Sequence, residues 1–341
     1  MGRIVHQDGF DHYDTAHLPA KWSSISGSTC TIVPDAGRTA AALYATGDTI
    51  QKNLPNNYGR LIVGFACKWT INNPTEMFCF TNNSAVGHSA IYLGTNSVGA
   101  IVVGDTDQYG DEEQVVTSAN ALVSAGTWYY FEFDMNFASL ALVVRLNGLE
   151  VISGTYEFPQ FAAGNVANQV AIGFGYGSES YFDDFYCLDP GDATDYWPDT
   201  FLGDVTVGSV LMSANGRVNN FIPSPDSNAN WENIDEVPPD DDTTFNSSNV
   251  VNNVDTYRLE STSVPSVLGV CVVADMRKDN IGSRLVQIGL GNGTEEVYGA
   301  DIPVSDTYEM STLSFGQNPF TGAAWEPADL TTLQTAIKVV A

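Results

Sequence analysis

From Arg60 onward the chain is a succession of short apolar runs, each broken after a few residues by Asn, Gly or Pro. The runs are RLIVGFACKWTI (60–71), EMFCFT (76–81), SAIYLG (89–94), AIVVGD (100–105), WYYFEFDMN (128–136), LALVVRLNGLEVISG (140–154) and VAIGFGY (170–176). They are rich in β-branched and aromatic residues, alternate in polarity and show no sustained helical period, so they read as strands. Within LVVRLNGLEVI, the Asn147-Gly148 pair between two alternating runs marks a hairpin, because the favoured two-residue turn needs positive φ at both centres. Strands this short bury their apolar faces only by packing sheet on sheet, which predicts an all-β sandwich or jelly roll in roughly the first 190 residues.

The series closes at Ala171–Asp189, AIGFGYGSESYFDDFYCLD, a strand, a glycine-rich turn and a second strand. Strict alternation puts Tyr181, Asp183, Phe185 and Cys187 on one face and Phe182, Asp184, Tyr186 and Leu188 on the other. PGDATDYWPDTFLGDVTV then breaks the pattern with Pro, Gly and acids before a new strand expected at Phe201. A length of 341 residues suits two domains, placed at 1–190 and 201–341 with a linker at 191–200. The second is also β-rich, through DTYRLE, VLGVCVVADMRKD, RLVQIGLGNG and TAIKVV, with long polar loops.

Thirteen Lys and Arg against 41 Asp and Glu leave a formal charge of −28, which repels nucleic acid and anionic membranes. Neither is expected as a partner, and the acids serve solubility first. Cys30, Cys67, Cys79, Cys187 and Cys271 are odd in number and irregular in spacing, and read as buried free thiols. MGRIVHQDGF lacks the apolar core of a secretion signal and no 18-residue apolar run follows, so folding in a cytoplasm without membrane insertion is expected.

The order of Gly37-Arg38 and Leu43, RLIVGFACKW, WYYFEFDMN followed by VVRLNGLEV, and the closing YFDDFYCLD resembles the concanavalin A-like, or laminin G-like, jelly-roll superfamily over roughly residues 8–190. A second ordered set resembles a module of tailed-bacteriophage structural proteins over about 200–341. It comprises Phe201-Leu202-Gly203-Asp204, Pro239-Asp240-Asp241-Asp242, Asp255 with Tyr257, and Thr321-Gly322 with Trp325. Together the resemblances imply a concanavalin A-like jelly roll followed by a second β-sandwich-like domain. The implied protein is a non-enzymatic virion component assembled in the host cytoplasm, tail-associated or fibre-like, contacting host surface glycan and other virion proteins. The alternative role is a capsid decoration protein, and the minor one a glycan hydrolase.

Retaining glucanases of that superfamily carry an acid series on one strand. The nearest match here, Glu132-Phe133-Asp134-Met135-Asn136, ends in an amide, so no catalytic residue is assigned. No cofactor is expected beyond structural Ca2+. Asp105, Asp107 and Asp183 are its candidates, although Tyr109 and Val116 stand where an EF-hand loop needs ligands. Tyr109, Tyr176 and Tyr181 are the candidate glycan contacts, at loops or strand ends where a ring can meet a sugar. For homo-oligomer or virion assembly, the weakly charged C-terminal run suggests Leu330, Leu333, Ile337, Val339 and Val340, with residues 268–274 as a further candidate stretch.

Overall fold

The structure is a computed structural model describing residues 1–70, 76–82, 89–106, 112–159, 161, 166–173, 179–192, 195–225, 229–279 and 281–341. The chain forms two compact units, one of Met1–Thr194 with Pro198–Gly208 and the other of Asp195–Trp197 with Ser209–Ala341.

Strands of the first unit begin with β1 (Arg3–Asp8), β2 (Ser24–Ile25), β3 (Thr31–Val33), β4 (Ala42–Ala45) and β5 (Thr49–Tyr58). They continue through β6 (Arg60–Trp69), β7 (Phe78–Asn82), β8 (Ser89–Thr95), β9 (Ile101–Thr106) and β10 (Glu112–Thr117). The last five are β11 (Tyr129–Asn136), β12 (Ala141–Leu146), β13 (Leu149–Thr155), β14 (Ala167–Gly173) and β15 (Ser180–Asp189). One antiparallel sheet runs β13-β12-β11-β6-β15-β4-β3, with β1 also paired to β15; the other runs β10-β9-β8-β7-β14-β5-β2. Chain neighbours that sit far apart in these orders make this the expected jelly-roll sandwich. The Asn147-Gly148 turn joins β12 to β13 with φ of 49° and 79°, as its sequence requires.

Phenylalanines fill the space between the sheets. Phe65 stacks on Phe78 at 5.7 Å and Phe80 meets Phe133 at 5.3 Å, all four rings fully buried. The faces of β15 differ from simple alternation. Asp184 takes a left-handed φ of 53° and the register with β6 shifts between Asp183 and Tyr186, which is a bulge. Phe182 and Phe185 therefore both turn inward, onto Phe65 and Phe78 at 6.1 and 6.4 Å. Asp183, Asp184 and Tyr186 lie on the outer face, where their partners are. Opposite Tyr186 stands Gly64, and a Cβ there would come within 2.1 Å of the tyrosine ring.

Residues 198–208 form no strand; they lie as a strap across that outer face. The Leu202 N–H donates to the Tyr186 hydroxyl at 3.2 Å, Gly203 N–H to Glu132 Oε1 at 2.8 Å, and Val207 N–H to Asp184 Oδ1 at 2.7 Å. Arg38 pairs with Asp184 at 3.1 Å and with Asp204 at 2.6 Å, and the Arg145 guanidinium lies 4.3 Å from the Phe201 ring centroid. The strand expected at Phe201 is absent because side chains of β11 and β15, rather than a neighbouring strand, take up these N–H groups. The segment consequently belongs with the first unit, and the second resumes at Ser209.

In the second unit the strands are β16 (Met212–Asn219), β17 (Ile222–Ser224), β18 (Phe245–Ser247), β19 (Val254–Leu259) and β20 (Val270–Met276). After them come β21 (Leu285–Gly291), β22 (Glu296–Tyr298), β23 (Ile302–Pro303), β24 (Glu309–Phe315) and β25 (Gln334–Val339). A sheet β16-β19-β25-β21-β22, with β23 on β21, accompanies the two-stranded pairs β17-β18 and β20-β24. Val272 from β20, Ile288 and Leu290 from β21, Trp325 and Leu333 make its buried core. Asp255 is fully buried and saturated. Its Oδ1 accepts from the Asn220 and Phe221 N–H groups, and its Oδ2 from Asn230 Nδ2 and the Tyr257 hydroxyl.

The C-terminal run expected at an assembly surface is instead an interior strand. β25 lies between β19 and β21; Leu333 and Val339 are buried, and Leu330 and Ile337 pack against the core. The Val340 N–H donates to the Leu285 carbonyl at 2.8 Å. Low charge in this run reflects burial. Within 268–274, Leu268 is exposed while Val272 is a core residue.

Candidate functional site

On the outer face of the eight-stranded sheet, antiparallel register aligns a row of side chains at one level. Thr31 of β3 pairs with Tyr44 of β4, Tyr44 with Tyr181 of β15, and Tyr181 with Lys68 of β6. Cys67 pairs with Tyr129, which brings Trp128, one residue before β11, level with Lys68. The flanking Leu43, Phe182 and Cys67 are fully buried, so alternation turns Tyr44, Tyr181 and Lys68 outward, and all of them and Trp128 are half-buried.

The geometry within the row is specific. The Lys68 ammonium lies 4.8 Å from the Tyr181 ring centroid and 4.9 Å from that of Trp128. Tyr44 and Tyr181 have centroids 5.2 Å apart, tilted by 56°. Burial and the Glu179 carboxylate raise the Tyr44 hydroxyl above its ordinary pKa, and Glu179 also accepts from Thr70 Oγ1 at 3.1 Å. Two aromatic faces with a cation between them, on a rigid sheet, can stack on an apolar ring face while offering a charged donor at its edge.

Tyr181 is thus the glycan-contact candidate that the structure places in a built surface. Tyr109 and Tyr176 lie outside the described residues, as does Asp107. The other cation candidates do not converge. Asp105, on β9 of the seven-stranded sheet, is fully buried and its Oδ2 accepts from the Phe161 N–H at 3.0 Å. Asp183, on the other sheet, accepts from the N–H groups of Arg38 at 2.7 Å and Asp184 at 2.8 Å. Among the described residues no group of three or more His, Cys, Asp or Glu is placed to hold a metal. Sequence reasoning singled out none of Lys68, Tyr44 and Trp128 as a contact. Cross-strand register would have found them, and it is not written in any one strand.

A second cluster lies beneath the strap. Burial, then the neighbouring Asp184 charge, push Asp183 up to about 7; burial likewise pushes Asp11 up to about 6 and raises Asp184. Opposing it at Asp184 are the Val207 N–H and the Arg38 guanidinium. Glu132 is fully buried, its Oε1 accepting from the Tyr186 hydroxyl at 2.8 Å and from Gly203. Asp134, its companion on β11, takes a two-point ion pair from Arg60 at 2.9 and 2.6 Å. Of the two acids in that series, Glu132 is therefore a sealed carboxylate and Asp134 an arginine partner.

No protein-family model and no curated protein matches the chain. Solved structures similar to it include domain 4 of an extracellular arabinanase from Geobacillus stearothermophilus in complex with arabinotriose, at 16% identity and a TM-score of 0.38, covering 55% of this chain and 93% of that one. A carbohydrate-binding module from Bacillus subtilis is 6% identical with a TM-score of 0.33, covering 48% and 94%. An alginate lyase from Chlorella virus is 8% identical with a TM-score of 0.40, covering 55% and 100%.

Proposed function

We propose that the first unit contacts a surface glycan through the row Tyr44, Tyr181, Lys68 and Trp128. In this reading the protein is a non-enzymatic structural component of a phage particle, tail-associated or fibre-like. The observation that carries glycan contact is the pair of half-buried rings, Tyr181 and Trp128, flanking the Lys68 ammonium on the outer face of an antiparallel sheet. A pyranose presents an apolar C–H face and a rim of hydroxyls, and amphipathic aromatics beside a fixed donor complement both. The non-enzymatic assignment is supported by an acid series that ends in Asn136 and by the complete burial of Glu132 beneath the strap. The virion setting rests on the sequence resemblance across residues 200–341. A glycan array probed with the full chain tests the contact. Binding should fall at least tenfold in Tyr181→Ala and Trp128→Ala without loss of folding, and variants that bind unchanged would remove the row from the interaction. Antibody labelling of intact particles tests the setting.

A further inference from the structure

We infer that this row selects sugars carrying a carboxylate, an inference that rests on the glycan-contact reading above. Lys68 is the basis. Its ammonium faces two aromatic rings at 4.8 and 4.9 Å and, among the described residues, makes no hydrogen bond or ion pair. This is unexpected in a chain with 41 acids and 13 bases, in which Arg3, Arg38, Arg60, Arg217 and Arg277 each pair with a carboxylate. The aromatic faces hold the cation by their quadrupoles but accept none of its N–H groups as a carboxylate would, leaving its donors for a ligand. The two acids that flank Tyr181 in sequence are engaged elsewhere, Glu179 by Thr70 and Tyr44 and Asp183 by the N–H groups of Arg38 and Asp184.

A sugar stacked on Tyr181 or Trp128 brings its ring substituents to the ammonium. A hydroxyl there makes a neutral-acceptor bond, whereas a carboxylate makes a charge-assisted one, roughly twice as strong. Long-range repulsion from the chain's net charge opposes an anionic ligand. At physiological ionic strength it is screened over about 8 Å, while the direct contact is not. The balance favours the acid form by about tenfold, the order expected when one neutral hydrogen bond is replaced by one to a charged group.

Calorimetric titration of the full chain with two matched pairs tests this: tetragalacturonate against its methyl ester, and sialyllactose against lactose. The pairs separate uronates from sialates as the source of the carboxylate. The wild type should bind the acid member of at least one pair about tenfold more tightly. Lys68→Gln should abolish the advantage of the acid over its neutral partner, Lys68→Arg should keep the preference, and Tyr181→Ala should weaken both members. Equal affinity within both pairs would overturn charge selection and leave the stacking contact standing. An acid preference that survives Lys68→Gln would overturn the assignment to Lys68. Failure of all four sugars to bind would overturn the glycan-contact reading and the selection together. Circular dichroism of each variant confirms that a lost signal is not lost folding.

Discussion

Asp184 sits in the left-handed region at φ 53°, and that one residue converts an alternating strand into one that sends two phenylalanines inward and two aspartates outward. YFDDFYCLD does not say which residue is the extra one, because either of two adjacent aspartates could take the left-handed conformation of a bulge. The glycine facing Tyr186 was equally silent in sequence. Gly64→Ala should cost about 1 to 3 kcal/mol in urea denaturation, since the new methyl meets an aromatic ring fixed by Glu132 and Leu202. The acids beneath the strap make a pH prediction with a definite sign. Asp183 at about 7 and Asp11 at about 6 hold their protons more tightly in the folded protein than in the unfolded chain. Their contribution is complete below the ordinary carboxylate range near 4 and is lost as pH rises through 6 to 7. Melting temperature should therefore be higher at pH 5 than at pH 8, and Asp183→Asn should flatten that slope. A melting temperature that rises steadily from pH 5 to 8 would contradict it.

At the scale of elements, the strands of the first unit were legible because each carries its own alternation and its own breaker. The Asn147-Gly148 hairpin was legible to the residue. The strap and β25 were not, because their partners lie far away in the chain: residues 198–208 bond to β11 and β15, and β25 to β19 and β21. A fragment ending at Asp189 leaves Glu132, Asp184 and Tyr186 without the strap's N–H groups, whereas one ending at Gly208 keeps them. The longer fragment should unfold at a higher denaturant midpoint and be more stable by about 2 kcal/mol, since it keeps three hydrogen bonds worth about 0.5 to 1.5 kcal/mol each. Equal midpoints would show that the strap adds nothing. Deleting residues 330–341 removes an interior strand, so the second unit should lose its cooperative transition, visible by far-UV circular dichroism.

Across the whole molecule, a formal charge of −28 sets the solution behaviour. Raising ionic strength from about 0.01 to about 0.15 M shortens the screening length from roughly 30 to roughly 8 Å, which relieves self-repulsion in the folded state. Melting temperature should rise over that range, and a fall would mean that the arginine ion pairs outweigh the repulsion. The division into two units was legible from the length of the chain and from the break in alternation after Asp189. The line between the units was not, because a run of Pro, Gly and Asp reads as a solvated linker wherever it goes. The strap also decides how the first sandwich bears load. Tension entering the chain from Ser209 meets Val207 and its bond to Asp184 first, then the Arg38 pair at Asp204, then Gly203 on Glu132 and Leu202 on Tyr186. These contacts must give way in sequence, one anchor at a time, before force reaches the end of β15. A pull on the chain at Ser209 would thus be dissipated by ordered peeling before it opened the sheet that holds Tyr181 and Lys68.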